Sequence, residues 1–358
     1  MTKLSILGAG SWGSALAMLA AENEHNVTLW THKTSHAQNM QTSRQNPDYL
    51  KQLVFPDSIK ITSDLGEAVR DADVIAFVLP TRAIRQVATE LAGLNGFTSR
   101  NHLPIIMHAS KGLEQGSHYR ISEVLLDVLG DIFPDKELPI VALSGPSHAE
   151  EVVNHDITAI TAASSNLQAA QTIQDIFTNH YFRVYTNKDI VGVELGGALK
   201  NIIALGAGIL AGLSYGDNAK AALITRGLAE ITRLGRRMGA DPMTYLGLSG
   251  VGDLVVTATS PHSRNWQAGY QIGQGKSPQA VEADMNMVVE GMATTLACYE
   301  IAQELEVDMP ITRAIYQVIA QGQAVDQVIN DLMQRDKKGE IYFAQSQIDQ
   351  GFIHDKEY

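Results

Sequence analysis

One amine stands out from its surroundings. Between Val191 and Leu213 the only strongly polar residues are Glu194, Lys200 and Asn201, and a helix that apolar is normally buried. An ammonium inside such a helix is costly unless it is paired or put to use. At helical spacing Gly197, Lys200, Asn201, Ala204 and Gly208 share one face. That face offers a base, an amide and residues small enough for another molecule to come close. Two readings fit it: a core helix whose lysine snorkels to water, or a helix that presents an amine to a ligand.

Other segments carry groups suited to an anion. The run Thr257–Asn265 reads as the opening of a helix, with Ser260 as N-cap and Pro261 in the first helical position. Ser263, Arg264 and Asn265 then occupy its first turns. Free backbone N–H groups beside a guanidinium make an anion site, and arginine grips phosphate bidentately. A capped surface helix with an exposed arginine is the plainer alternative. Lys111, in Ser110-Lys111-Gly112, and the turn Ser144-Gly145-Pro146-Ser147 each follow an apolar strand. In open α/β sheets ligands bind at those strand ends. His148 and His155 do not fall into an HExxH or Cys/His cluster, so no metal site is read. No GxSxG elbow anchors a hydrolase triad.

The elements that must position these groups begin with a glycine turn. Leu4–Leu7 reads as a strand, Gly8-Ala9-Gly10-Ser11-Trp12-Gly13 as the turn and Ser14–Ala21 as a helix. In that context GxGxxG is a dinucleotide fingerprint. Gly8 permits the turn, Gly10 lets the backbone approach a pyrophosphate, and Gly13 lets the helix pack closely. The next strand, Val27–Trp30, ends in Thr31-His32-Lys33 rather than in the Asp or Glu that bonds the ribose 2′-hydroxyl of NAD. The basic character favours NADP(H), with NAD(H) still possible.

Strand and helix then alternate. Strands are expected at Ser58–Thr62, Val74–Leu79, Ile105–Ala109, Ile140–Leu143, Ile157–Ala162 and Phe182–Tyr185. Helices are expected at Asp64–Arg70, Arg82–Leu94, Ile121–Leu129 and Leu167–Phe177. This pattern implies an α/β protein with a Rossmann-type doubly wound sheet. After Asn187 the period-2 signal disappears and an all-α C-terminal domain follows. Its expected helices are Ile190–Leu213, Asn218–Met238, the one opening near Ser260, Val289–Leu305, Ile311–Gln321 and Val325–Arg335. The expected division is residues 1–188 for the nucleotide-binding domain, 189–335 for the helical substrate domain and 336–358 for a polar tail.

Composition narrows the partners. The chain has 358 residues and a net charge of −12, which gives no basic surplus for nucleic acid. An anionic substrate must therefore meet a local positive cluster. The single cysteine, Cys298, excludes an internal disulfide and suits a reducing compartment. The N-terminal residues carry no signal-peptide pattern, consistent with a cytoplasmic protein. The Val191–Leu213 run is long enough to suggest a membrane span, but Lys200, Asn201 and its glycines argue against insertion.

Together these segments resemble the NAD(P)-dependent glycerol-3-phosphate dehydrogenases of bacteria. The resemblance rests on Gly8–Gly13, Ser110–Gly112, Leu143–Glu151, Glu194–Ala204, Tyr215–Gly227, Gly250–Leu254 and Thr259–Asn265, and runs from residue 1 to about 335. It implies interconversion of sn-glycerol 3-phosphate and dihydroxyacetone phosphate, a role in phospholipid synthesis, and a homodimer. It also implies roles for residues. Lys200 matches the proton acceptor. Lys111, Gly145, Ser147, Lys200, Asp253, Ser263, Arg264 and Asn265 match substrate positions. Ser11, Trp12, His32, Lys33, Tyr49, Lys111, Ala149, Arg264, Val288 and Glu290 match cofactor positions. A related Rossmann-plus-helical dehydrogenase of the 6-phosphogluconate or hydroxyacid type, and a non-catalytic NAD(P)-binding sensor, remain as alternatives at this point.

Overall fold

The computed structural model describes residues 1–98, 102–133, 137–285, 289–337 and 339–340. Ten strands are present among them: β1 (Lys3–Leu7), β2 (Asn26–Trp30), β3 (Gln45–Asn46), β4 (Leu50–Val54), β5 (Lys60–Thr62), β6 (Val74–Phe77), β7 (Ile105–His108), β8 (Ile140–Ser144), β9 (Thr158–Ala163) and β10 (Phe182–Asn187). Eight form one sheet in the order β10-β9-β8-β7-β6-β1-β2-β5. β6 and β8 are buried at every residue, which is why they read as unbroken apolar runs: helices cover both faces of the sheet. The order reverses at β1, which lies between β2 and β6. Loops leaving β1 and β6 therefore diverge and open a crevice.

The strands from β5 across to β8 run parallel, but β9 is antiparallel to β8. Only the five-residue helix Ala149–Val153 lies in the connection between them. A parallel return needs a longer crossover, whereas an antiparallel neighbour does not.

Sequence reading did not anticipate the helix Thr34–Ser43 or the β3–β4 hairpin. That helix buries only Ala37 and Met40, too few for an amphipathic signal. The hairpin is tied to the glycine turn by Asn46, whose Nδ2 donates to Ala9 O and Ser14 Oγ, each at 2.9 Å.

Beyond β10 the described elements are helices. The central one, Ile190–Gly212, is capped by Asp189, whose Oδ1 accepts from Gly192 N at 2.8 Å. It is the one described helix long and apolar enough to cross a membrane, and 83% of its most apolar window is buried within the fold. It packs almost backbone to backbone on the helix Arg264–Gly273. A Cβ at Gly208 would lie 2.0 Å from Trp266 O, and one at Gly269 would lie 2.0 Å from Leu205 O.

The helix expected to open near Ser260 starts later. Ser263 is its N-cap and accepts from Trp266 N at 3.4 Å. Ser260 instead ends a separate helix, Asp253–Thr259. Its β-branched run Val255-Val256-Thr257 argues against helix by propensity. Burial of Asp253, Leu254, Thr257 and Ala258 along one face overrides that preference. The expected polar tail falls, from residue 341 onward, outside the described residues.

Candidate active site

The central helix carries Lys200, 5% exposed, to the start of the helix Asp253–Thr259. Its Nζ donates to Asp253 Oδ1 and, at 2.7 Å, to Thr257 Oγ1. Thr257 sits one turn beyond Asp253 and donates in turn to Asp253 O at 2.6 Å. From the sheet side, Lys111 Nζ donates to Asp253 Oδ2 at 2.7 Å and to Gly145 O at 3.0 Å. Asp253, 1% exposed, thus shares its two oxygens between two ammonium groups.

The charges follow from this sharing. Burial alone would raise the Asp253 pKa, but the Lys111 and Lys200 cations outweigh it and hold the carboxyl below its ordinary range. Burial pushes Lys200 the other way. Aided by the like charge of Lys111 and only partly opposed by Asp253, it lowers the amine to about 7. The site therefore holds an amine that switches charge near neutrality.

Two glycines make the approach possible. A Cβ at Gly197 would lie 2.9 Å from Ser144 Oγ and 3.4 Å from Lys111 Cγ, so glycine lets the Lys111 stem cross the central helix. Gly145 has φ of +144°, and a Cβ there would sit 2.9 Å from Ile160 Cα. That turn, which favours glycine, is where its carbonyl meets Lys111.

The two lysine-bearing elements are clamped together by Glu194, six residues before Lys200. Its buried carboxylate accepts from Ser122 N at 2.7 Å, Ser122 Oγ at 2.6 Å and Arg120 Nη1 at 2.5 Å. His108 Nε2, at the end of β7 and three residues before Lys111, lies 3.1 Å away. Burial works to raise the Glu194 pKa, but pairing with His108 and Arg120 holds it below the usual carboxylate range. Sequence reading had noted Glu194 only as a polar residue in an apolar run. Its partners lie more than 70 residues earlier in the chain and leave no local signal.

A cleft of about 530 Å³, its mouth included, opens over the lysines. Of the expected substrate residues, Lys111, Ser147, Lys200, Asp253, Ser263, Arg264 and Asn265 line it. Gly145 contributes through its carbonyl. His148, Val256, Thr257 and His262 line it too and were not anticipated. Thr257 had a signal, its i+4 spacing from Asp253 once that segment is helical. Asn265 is locked by donating to Asn201 Oδ1 at 2.9 Å and accepting from Gly291 N at 2.8 Å.

A second cleft, of similar size, lies over the glycine turn. Gly8, Gly10, His32, Lys33 and Tyr49, each expected at the cofactor, line it, and the hairpin and its preceding helix add Asp48 and His36. Gly8 has φ of +125°, and a Cβ there would lie 2.2 Å from Val78 O. One at Gly13 would lie 1.8 Å from Gly8 O, whereas one at Gly10 would meet nothing within 4 Å. Gly10 thus faces open space. As N-cap of the helix Ser11–Glu22 it makes no side-chain cap, leaving first-turn N–H groups free for an anion. These residues fit a dinucleotide.

The remaining cofactor expectations are scattered. Trp12 is half-buried and packs against the sheet core, 6.5 Å from the Phe182 ring. Ala149 is buried at the start of its short helix. Neither lines the two clefts. Glu290 reaches across from the helical region to Thr81, accepting from its N at 3.4 Å and its Oγ1 at 3.2 Å. Val288 lies outside the described residues.

A Rossmann-type sheet with an open glycine turn, faced by helices bearing a buried lysine of shifted pKa, defines a nicotinamide-dinucleotide-dependent dehydrogenase. The sequence matches the family models for the NAD-dependent glycerol-3-phosphate dehydrogenase N-terminus over residues 3–170 and C-terminus over residues 189–330, and the chain belongs to that family. It is 55% identical over 344 residues to the glycerol-3-phosphate dehydrogenase [NAD(P)+] of Enterococcus faecalis, covering 95% of this chain and 98% of that one. It is 54% identical to the enzyme of the same name from Lacticaseibacillus casei, covering 96% and 97%. The crystal structure of glycerol-3-phosphate dehydrogenase from Coxiella burnetii superposes with a TM-score of 0.86 at 35% identity, covering 93% of this chain and 99% of that one.

Proposed function

We propose that this chain interconverts sn-glycerol 3-phosphate and dihydroxyacetone phosphate, with Lys200 as the proton-transferring residue. The observation that carries the reading is the Lys111–Asp253–Lys200 relay, in one cleft with Ser263, Arg264 and Asn265. Residues 1–188 bind the dinucleotide and residues 189–335 complete the site. The nicotinamide, when bound, supplies or accepts the hydride.

The residues divide the remaining work. In the reducing direction the substrate's carbonyl oxygen gains negative charge. The Lys200 ammonium stabilises that charge and delivers the proton, then returns as the neutral amine. In the oxidising direction the neutral amine takes the hydroxyl proton. Lys111 adds positive charge beside the reacting oxygen, and Asp253 keeps both lysines aimed. The phosphate rests on Ser263 and Asn265 with the Arg264 guanidinium closing on it.

We assign the cofactor as NADP(H), with NAD(H) also accepted. The exposed His32 and Lys33 beside the dinucleotide cleft favour a 2′-phosphate. Asp48, from the hairpin, supplies an acid to the same cleft and tempers the preference. The reducing direction, in the cytoplasm, provides the glycerol phosphate backbone of phospholipids.

The test is oxidation of NADPH dependent on dihydroxyacetone phosphate, followed at the nicotinamide absorbance and repeated with NADH. Turnover is expected with both, at lower KM for NADPH. Turnover on 6-phosphogluconate or a hydroxyacid, but none with glycerol phosphate, would replace this reading. Arg264→Ala is expected to raise KM for dihydroxyacetone phosphate by roughly 30-fold, the worth of a charge-assisted hydrogen bond of about 2 kcal/mol. An unchanged KM would remove Arg264 as the anchor.

A further inference from the structure

We infer that His148 is a further substrate-binding residue of this cleft, its Nε2 hydrogen-bonding an oxygen of the phosphorylated three-carbon substrate. The inference rests on the reaction proposed above and adds a contact to it. His148 stands between Ser147 and the short helix Ala149–Val153, as its extended N-cap residue. Its ring forms part of the cleft wall with Lys111, Lys200, Asp253 and Arg264.

The imidazole is under-used in the free protein. Nε2 has less than 1 Å² of exposed surface and no hydrogen-bond partner among the described residues. A buried polar group left unmade costs about 1–3 kcal/mol. Buried His108 shares part of that cost, since its Nδ1 also has no partner among the described residues, although its Nε2 lies 3.1 Å from Glu194 Oε1. Three other histidines away from the cleft are engaged. His155 Nε2 lies 3.1 Å from Glu22 Oε1, His118 Nε2 lies 2.7 Å from Glu300 Oε2, and His36 bonds both Thr31 and Asn46.

Three of its neighbours in the cleft are already engaged. Both lysines are held by Asp253, and Asn265 is held by Asn201 and Gly291. Among the described wall residues His148 is the one whose unpartnered polar atom is also buried. The imidazole turns about a broad χ2 well, and the inferred contact uses that freedom to turn Nε2 from its buried position toward the cleft. His148 lines the cleft that holds the lysines and Arg264 and not the one over the glycine turn, so the inferred contact is to the substrate, and the two KM values test that choice.

His148→Phe keeps a planar ring and removes the unpaired nitrogen. His148→Gln keeps a polar atom at similar reach. The Phe variant is expected to melt at or above the wild-type temperature, because the orphaned group is gone. Its KM for dihydroxyacetone phosphate is expected to rise about tenfold, the worth of one hydrogen bond, while KM for NADPH stays put. The Gln variant is expected to recover most of the lost affinity. An unchanged substrate KM in the Phe variant overturns the inference, as does a rise in the NADPH KM alone. A lowered melting temperature with both KM values displaced also overturns it, since a packing role alone gives that result. Wild-type turnover on dihydroxyacetone phosphate separates the two levels: without it the proposed reaction fails, and with it these variants judge His148 alone.

Discussion

The Lys200→Met enzyme is expected to bind NADPH as the wild type does and to lose turnover by roughly 10²–10⁴-fold, the usual worth of general acid–base catalysis. Methionine is unbranched, close to lysine in length and at home in a buried helix. The fold should accept it, because the Lys200 ammonium is buried at a cost and Asp253 retains Lys111 at 2.7 Å. The dinucleotide cleft is lined by other residues, so nucleotide affinity has no reason to move. Fluorescence titration with NADPH and single-turnover kinetics measure the two quantities separately. Near-normal turnover would take Lys200 out of the mechanism. Parallel loss of NADPH affinity and turnover would mean that the substitution damaged the fold instead.

Sequence reading reached the parts of this site that local patterns encode. The glycine turn is a contiguous run between a strand and a helix, and Gly8 and Gly13 have steric reasons visible in the structure while Gly10 faces open space. Lys200 was legible because a cation in an apolar helix is conspicuous. The antiparallel turn at β9 was not legible, since a strand's direction depends on the length and packing of what precedes it. The Asp253–Thr259 helix was missed because its β-branched residues argue against helix locally, while burial against the central helix decides the outcome. Glu194 was visible but unexplained. Its partners, His108, Arg120 and Ser122, are 72 to 86 positions away by residue number, and only the fold brings them together. Asp48 reached the dinucleotide cleft by way of a hairpin too short and polar to announce itself.

Asp253→Asn tests whether the relay sets the charge on Lys200. The carboxylate is the group that supports the ammonium, while burial and Lys111 oppose it. Replacing it with an amide of the same shape leaves two cations side by side without a counter-charge, and the Lys200 pKa must fall below its present value of about 7. Removing an opposite charge at contact distance moves a pKa by about 1–3 units, and each unit costs about tenfold in the ammonium fraction above that pKa. Ketone reduction at neutral pH, which needs the ammonium, is therefore expected to fall roughly a hundredfold.

The pH profiles give a sharper readout than the rate. In the wild type, reduction should fall as pH rises through about 7, and oxidation of glycerol 3-phosphate should rise over the same interval. In Asp253→Asn both limbs should move to lower pH. Stability has its own sign. The Lys200 pKa is about 7 when folded against an ordinary 10.5, so the unfolded chain binds more protons between those values. The Lys200 contribution to stability therefore rises with pH across that window and is flat below it. In Asp253→Asn the lower edge of the window extends downward. Thermal melts across this pH range report the shift without any substrate present. Profiles and melts that keep the wild-type midpoint would mean that Asp253 orients Lys200 without governing its charge.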